Sequence, residues 1–305
     1  MGRDLYDSDA VFRETMWECD QHLRRLQSDS IIDVIYPKGE VGRNSEFDEI
    51  LHTHPALFCI QYSLARTLLS RGLKPDLLLG YSLGEFVSAA VGGALPLETI
   101  LEVVVRQARL LKQSIAPGAM LAILGSPELR DSNNPLYANT WIAARNFSNH
   151  FVLSGTPSGV ASIQKYLQTK EISSQRLPVK YAFHCPLMDV IEKPFKSGLH
   201  DLESRELSHP LISGSQVGSM SRLSADFFWE VVRRPVRFDE TIAWLETQGN
   251  FSYVDLGPTG TLATFLKYAL DPNSLSKAYA TMTPFNRTND NLRKLEIALE
   301  GAREI

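Results

Sequence analysis

No charge of one sign dominates this sequence. Lys and Arg number 31 and Asp and Glu 35 among 305 residues, a formal net charge of -4. That leaves no basic footprint for nucleic acid. No apolar run approaches the roughly 20 residues that cross a bilayer, so no membrane partner is expected. The opening residues, MGRDLYDSDAVFRE, lack the apolar stretch of a signal peptide. Cysteine is scarce: Cys19, Cys59 and Cys185 are odd in number, far apart, and form no CxxC. Neither a disulfide framework nor a zinc cluster is expected on that pattern, and a reducing cytoplasm is the expected location. Repeats and low-complexity segments are missing as well. What the chain does have is 44% apolar and 22% charged residues, too apolar for disorder. Its length suits one large core, or a core with a smaller domain attached.

Apolar periodicity predicts amphipathic helices over 8–27 and 54–71, the second with Pro55 in its first turn and Gly72 at its end. Residues 76–81 (DLLLGY) read as a short buried strand, and 84–94 and 97–113 as helices. Pro117-Gly118 is a break. Beyond it, 119–124, 140–145 and 150–154 read as strands, 157–169 as a helix, and 173–181 as a further strand. Helices follow at 186–200, 224–232 and 237–248, then a strand at 251–255 ahead of Gly257-Pro258. The alternation predicts a parallel α/β core. A small α+β unit, residues 119–183, is inserted into a large unit made of 1–118 and 184–305.

Gly80-Tyr81-Ser82-Leu83-Gly84 is a GxSxG between a predicted buried strand and a predicted helix. A nucleophile elbow needs that context: flanking glycines allow a tight turn that projects the serine Oγ outward. The N–H of Leu83 would then face an oxyanion at the helix N-terminus. A serine also needs a base. The candidates are His22, His52, His54, His150, His184, His200 and His209, and side-chain chemistry does not choose among them. His184 stands out because it lies at the predicted junction of the two units, where clefts form. A hydrogen-bonded structural histidine is the alternative reading. Cys185 beside it reads as a small packed residue.

These residues resemble a known family. Tyr81-Ser82-Leu83-Gly84-Glu85 looks like the GHSxGE elbow of the malonyl-CoA:acyl-carrier-protein acyltransferases, polyketide synthase acyltransferase domains included. Tyr181-Ala182-Phe183-His184-Cys185-Pro186-Leu187-Met188 resembles that family's HAFHSPLM segment. Lesser signatures fall in the right order. Met1-Gly2-Arg3-Asp4-Leu5-Tyr6 resembles the stretch after its GQGSQ loop, and Thr53-His54-Pro55-Ala56-Leu57 its TQPAL. Gly118-Ala119-Met120 opens the small unit. Asn146 with Ser154-Gly155, Trp229 with Pro235-Val236-Arg237-Phe238, and Asp255-Leu256-Gly257-Pro258 resemble N…SG, W…PVRF and ExGP. The resemblance implies an α/β-hydrolase-like large domain with an inserted ferredoxin-like small domain. It implies a Ser82–His184 dyad whose imidazole is oriented by a backbone carbonyl. The acyl group would arrive on the phosphopantetheine of an acyl carrier protein, with no cofactor bound by the enzyme itself. A first strand and a GQGSQ-type loop are expected ahead of Met1, the loop supplying a second oxyanion N–H.

The departures from the family pattern bear on the substrate. The family's arginine, about seven helical turns past the serine, pairs with the malonyl carboxylate. A helix read without a gap from Ser82 to Leu111 puts Gln107 at that position. Neutral glutamine cannot make the bidentate charged pair. Arg106 and Arg109 would face elsewhere, unless a one-residue shift made Arg106 the clamp. Tyr81, Tyr181 and His54 replace two histidines and a glutamine of the family. Gln107, Tyr81, Phe183, His54 and Asn146 are thus expected to line a pocket for an uncharged acyl chain. That set looks like the acyl hydrolases of trans-acyltransferase polyketide synthases, which clear wrong or stalled acyl units from carrier proteins. Transfer of a non-carboxylated acyl chain between carriers is the alternative. A silent carrier-binding module is disfavoured by the intact elbow. Arg222, Arg233, Arg234 and Arg237 form a candidate basic patch for an acidic carrier.

Overall fold

In the computed structural model, which describes residues 1–37, 47–131, 133–199, 202–285 and 287–303, the short apolar runs fold as strands. In chain order these are β1 (Leu78–Gly80), β2 (Ala119–Leu124), β3 (Thr140–Phe147), β4 (His150–Gly155), β5 (Ser174–Arg176) and β6 (Leu211–Ser213). β7 (Gly218–Met220), β8 (Val236–Arg237), β9 (Ser252–Asp255) and β10 (Lys277–Ala280) follow. β1 pairs parallel with β6, and β6 pairs antiparallel with β7. β9 and β10 pair parallel. Among the described residues, the second edges of β1 and β9 have no strand partner.

The inserted unit is an antiparallel sheet of order β5-β2-β4-β3, the strand order of a ferredoxin-like unit. One α-helix, Pro157–Thr169, covers it. Two 3₁₀ turns, Pro127–Leu129 and Pro135–Tyr137, stand where such a unit carries its first helix. Proline opens each turn. β8 joins the β3 edge in parallel through Ala144–Val236 and Arg145–Arg237. The sheet of residues 119–183 therefore takes its last strand from beyond that segment.

Two long helices centre the large unit. In Leu97–Ser114 the stripe Ile100, Leu101, Val104, Ala108 and Leu111 repeats at helical spacing and is sealed from solvent. It packs against Ile50–Ser70, where Ala56, Phe58, Cys59, Ile60 and Leu64 are equally buried. Each such aliphatic or aromatic side chain contributes about 1.5–3 kcal/mol.

Several expectations need correction. The helix predicted to start at 54 starts at Ile50, capped by Glu49, because buried Ile50 anchors an extra turn. Pro55 lies inside it, so no N–H reaches back to the Leu51 carbonyl. The helix read without a gap from Ser82 to Leu111 is two helices, Gly84–Val91 and Leu97–Ser114. Gly93 at φ 72° and Pro96 break it. Pro186 starts a 3₁₀ helix, Pro186–Ile191, and the α-helix there spans only Glu192–Ser197. The strand predicted over 173–181 is only β5, Ser174–Arg176, ending just before Pro178. His200 lies outside the described residues.

Candidate active site

β1 delivers the chain into the elbow. A Cβ at Gly80 would lie 2.3 Å from Glu85 Cγ, so only glycine fits where strand and helix meet. Ser82 follows with φ 52°, left-handed backbone that few non-glycine residues adopt. The N–H groups of Gly84, Glu85 and Phe86 donate to the carbonyls of Tyr81, Ser82 and Leu83 at 2.9, 2.9 and 3.1 Å. The N–H of Leu83 has no partner among the described residues. It lies at the mouth of the helix Gly84–Val91, a position from which an N–H can donate to an anion.

His184 reaches Ser82 from across the junction of the two units. Its Nε2 lies 2.8 Å from Ser82 Oγ, 102 residues away in sequence. Its Nδ1–H donates to the Arg234 carbonyl at 2.9 Å. A carbonyl only accepts, so this bond fixes the proton on Nδ1 and leaves Nε2 free to accept from the Ser82 hydroxyl. His184, like Ser82, has positive φ, 60°. Backbone strain is thus stored at both members of the pair.

His184 is 6% exposed. Burial lowers its pKa from 6.5 to about 4, and the Arg234 carbonyl opposes that shift. His54 is lowered to about 4 as well, first by burial and then by the charge His184 would carry. Both imidazoles are therefore neutral at pH 7, as a general base must be. Reaction at Ser82 is expected to stay level through neutral pH and to fall only as pH nears 4. The unfolded chain takes up these protons near 6.5 and the folded chain does not. Stability is therefore complete above about pH 6.5 and is lost as pH falls toward 4. Melting temperatures and serine-probe rates across that range check both expectations.

Ser82 and His184 open into a cavity of about 1260 Å³. Tyr81, Leu83, His54, Gln107, Asn146 and Phe183 all line it. The same cavity runs along β1 and β9, so its full volume is not the size of an acyl site. Tyr81 Oη donates to Asn146 Oδ1 at 2.8 Å, and Asn146 Nδ2 donates to His150 Nδ1 at 2.8 Å. This chain of bonds ties the elbow to the small unit. Burial raises the Tyr81 phenol well above its ordinary pKa, so it stays neutral. His54 stacks on Phe183 at 5.5 Å, with its Nδ1 buried and unpartnered among the described residues.

Gln107 is 4% exposed, and its Oε1 is buried with no partner among the described residues. Among the described residues, no arginine lines the cavity. Arg106 instead donates to the Pro194 carbonyl at 2.6 Å, and Arg109 to the Leu26 carbonyl. The one-residue shift that would make Arg106 a clamp is therefore ruled out by its direction. The proposed basic patch is half neutralised: Arg233 pairs with Asp189 and Arg237 with Glu240.

Residue type points to Ser82, whereas Arg234, read from the sequence only as part of a basic patch, meets His184 through its main-chain carbonyl. The bond chain ending at His150 was also missed, since its members join only in the folded sheet.

The chain matches the profile of the acyl transferase domain over residues 1–303. It is 38% identical over 296 residues to the polyketide biosynthesis acyltransferase homolog PksD of Bacillus subtilis, covering 97% of this chain and 91% of that protein. It is 37% identical over 296 residues to the homolog BaeD of Bacillus velezensis, with the same coverage. Among solved structures, a loading acyltransferase from the avermectin modular polyketide synthase superposes with a TM-score of 0.87 at 27% identity. That match covers 98% of this chain and 95% of the other.

Proposed function

Because the chain belongs to the acyl transferase domain family, we propose that it is an acyl hydrolase. Its substrates are non-carboxylated acyl groups carried as thioesters on the phosphopantetheine of an acyl carrier protein. The observation that carries this reading is Gln107, a neutral side chain lining the cavity where the resemblance places an arginine, with Arg106 turned away to the Pro194 carbonyl and no arginine among the described lining residues. A malonyl carboxylate there would meet a neutral amide instead of a guanidinium and would give up its hydration without a charged, bidentate partner. An uncharged acyl chain loses nothing comparable.

Ser82 Oγ attacks the thioester carbonyl while His184 Nε2 takes its proton. The Leu83 N–H steadies the oxyanion. The C–S bond breaks, and His184 returns the proton to the departing pantetheine thiolate. The acyl group is left as an ester on Ser82. Water then attacks that ester with His184 again as base. Ser82 leaves with the proton, and the free acid is released. In polyketide biosynthesis such a reaction clears wrong or stalled units from carriers. The description of the Bacillus relatives as acyltransferase homologs favours a second reading, in which the acyl group passes to another carrier.

Acetyl- and longer acyl-carrier proteins, incubated with the enzyme with and without a second carrier, separate the two readings by mass spectrometry. Free acid at equal rates in both arms is expected. Acyl mass on the second carrier without free acid would favour transfer, and rapid malonyl transfer would overturn the argument from Gln107.

A further inference from the structure

Glu85 takes no part in those steps, yet it is the most deeply placed acid near them. It lies in the first turn of Gly84–Val91, three residues after Ser82, and is 1% exposed. A carboxyl at that position would ordinarily stay near solvent and the helix N-terminus. This one turns inward. Its Oε1 accepts the Gly214 N–H at 3.1 Å. Gly214 directly follows β6, whose Ser213 is paired with Gly80 at the end of β1. The Gly214 carbonyl in turn accepts the Arg237 N–H at 2.8 Å. Arg237 is three residues past Arg234, whose carbonyl holds His184 Nδ1–H. At the other end, the Glu85 N–H donates to the Ser82 carbonyl at 2.9 Å. Glycine at 80 and 214 allows this approach: a Cβ at Gly214 would lie 3.2 Å from the Gly80 carbonyl oxygen.

We propose that Glu85 is a positioning residue that locks the segment carrying the Arg234 carbonyl to the elbow carrying Ser82, and so sets the Ser82–His184 geometry. The two halves of the pair sit on segments joined by no continuous element. Without the carboxyl, the register between them rests on looser packing, and a shift of about 1 Å at such a site costs up to 10²-fold in rate. Burial raises the Glu85 pKa to about 8, so at neutral pH it is an uncharged acid. Its working atom is the accepting Oε1, which glutamine retains.

The proposal rests on Ser82 and His184 being nucleophile and base, not on the choice between hydrolysis and transfer. Its test uses a fluorophosphonate serine probe and the downfield proton resonance of His184 Nδ1–H. S82A, which must not label, and labelling of Ser82 in the parent test the underlying pair separately. E85Q is expected to label within about threefold of the parent, with the resonance in place. E85A and E85L are expected to label about 10–100-fold slower, with the resonance moved or lost. I163A, a cavity under the helix Pro157–Thr169 in a core whose Ile163 does not line the acyl cavity, is expected to lower the melting temperature and leave both readouts unchanged. Parental labelling and resonance in E85A or E85L would overturn the proposal. So would a loss in E85Q as large as in E85A. Where E85A does not fold, E85L and E85Q decide.

Discussion

Replacing Ser82 with alanine is expected to abolish the acyl-enzyme and to lower turnover by about 10⁴–10⁶, with carrier binding unchanged. Cys185, the nearest alternative in sequence, is fully buried and donates its thiol to the Ala182 carbonyl. Burial also raises its pKa, so thiolate is scarce. His184→Ala is expected to cost nearly as much, because Ser82 Oγ at 2.8 Å then has no acceptor for its proton. The two act as a unit, so the double variant should be no worse than either single one. Intact-protein mass after mixing with an acyl-carrier substrate reads this directly: the parent gains the acyl mass and S82A does not. An acyl adduct on S82A at the parental rate would move the nucleophile elsewhere. Melting temperatures guard against misfolding, since Ser82 occupies left-handed backbone that alanine tolerates poorly.

The elbow was legible in sequence because its cause is local. A short apolar run, two glycines and a following amphipathic stretch are all read within a few residues. The base was legible only through the resemblance to the family, because the Ser82–His184 contact closes across 102 residues and a histidine's role depends on what reaches it. The resemblance implied a backbone carbonyl behind the imidazole, but not that it is Arg234's, which the sequence offered only as part of a basic patch: a main-chain carbonyl carries no signature of residue type. Gln107 could be singled out only against the family pattern. The ungapped helix used to place it does not exist, yet the residue still lines the cavity, since Leu97–Ser114 keeps its own register past the break at Gly93. The elements that went unread are mostly short. β6, β7 and β8 have two or three residues each, too few to establish a period of two. They owe their strand conformation to neighbours already in place. Glu85 belonged to the recognised elbow motif, but its reach to Gly214 spans 129 residues and appears only in the folded chain.

Gln107→Arg is expected to turn the substrate preference toward malonyl groups. Gln107 lies on Leu97–Ser114 and lines the cavity, and among the described residues no guanidinium lines it to oppose a new one. His54, the neighbouring imidazole in the same cavity, has its pKa lowered to about 4 and so carries no charge at pH 7. An arginine there would bind a malonyl carboxylate through two parallel N–H donors. A hydrogen bond to a charged group contributes about 1.5–3 kcal/mol, which converts to about 10- to 150-fold in relative kcat/KM. Acetyl groups should lose rate in the same variant, because an unpaired buried guanidinium must then be accommodated beside an apolar chain. Competition between malonyl- and acetyl-carrier proteins, read as the ratio of the two acyl masses on Ser82, measures the switch in one tube. Gln107→Leu separates charge from size. It removes the orphaned acceptor, so it should keep acetyl turnover and raise the melting temperature while malonyl stays poor. A malonyl ratio unchanged in Q107R would mean that the acyl group does not reach Gln107. The preference would then have to be set closer to the serine, by Tyr81 and its bond to Asn146.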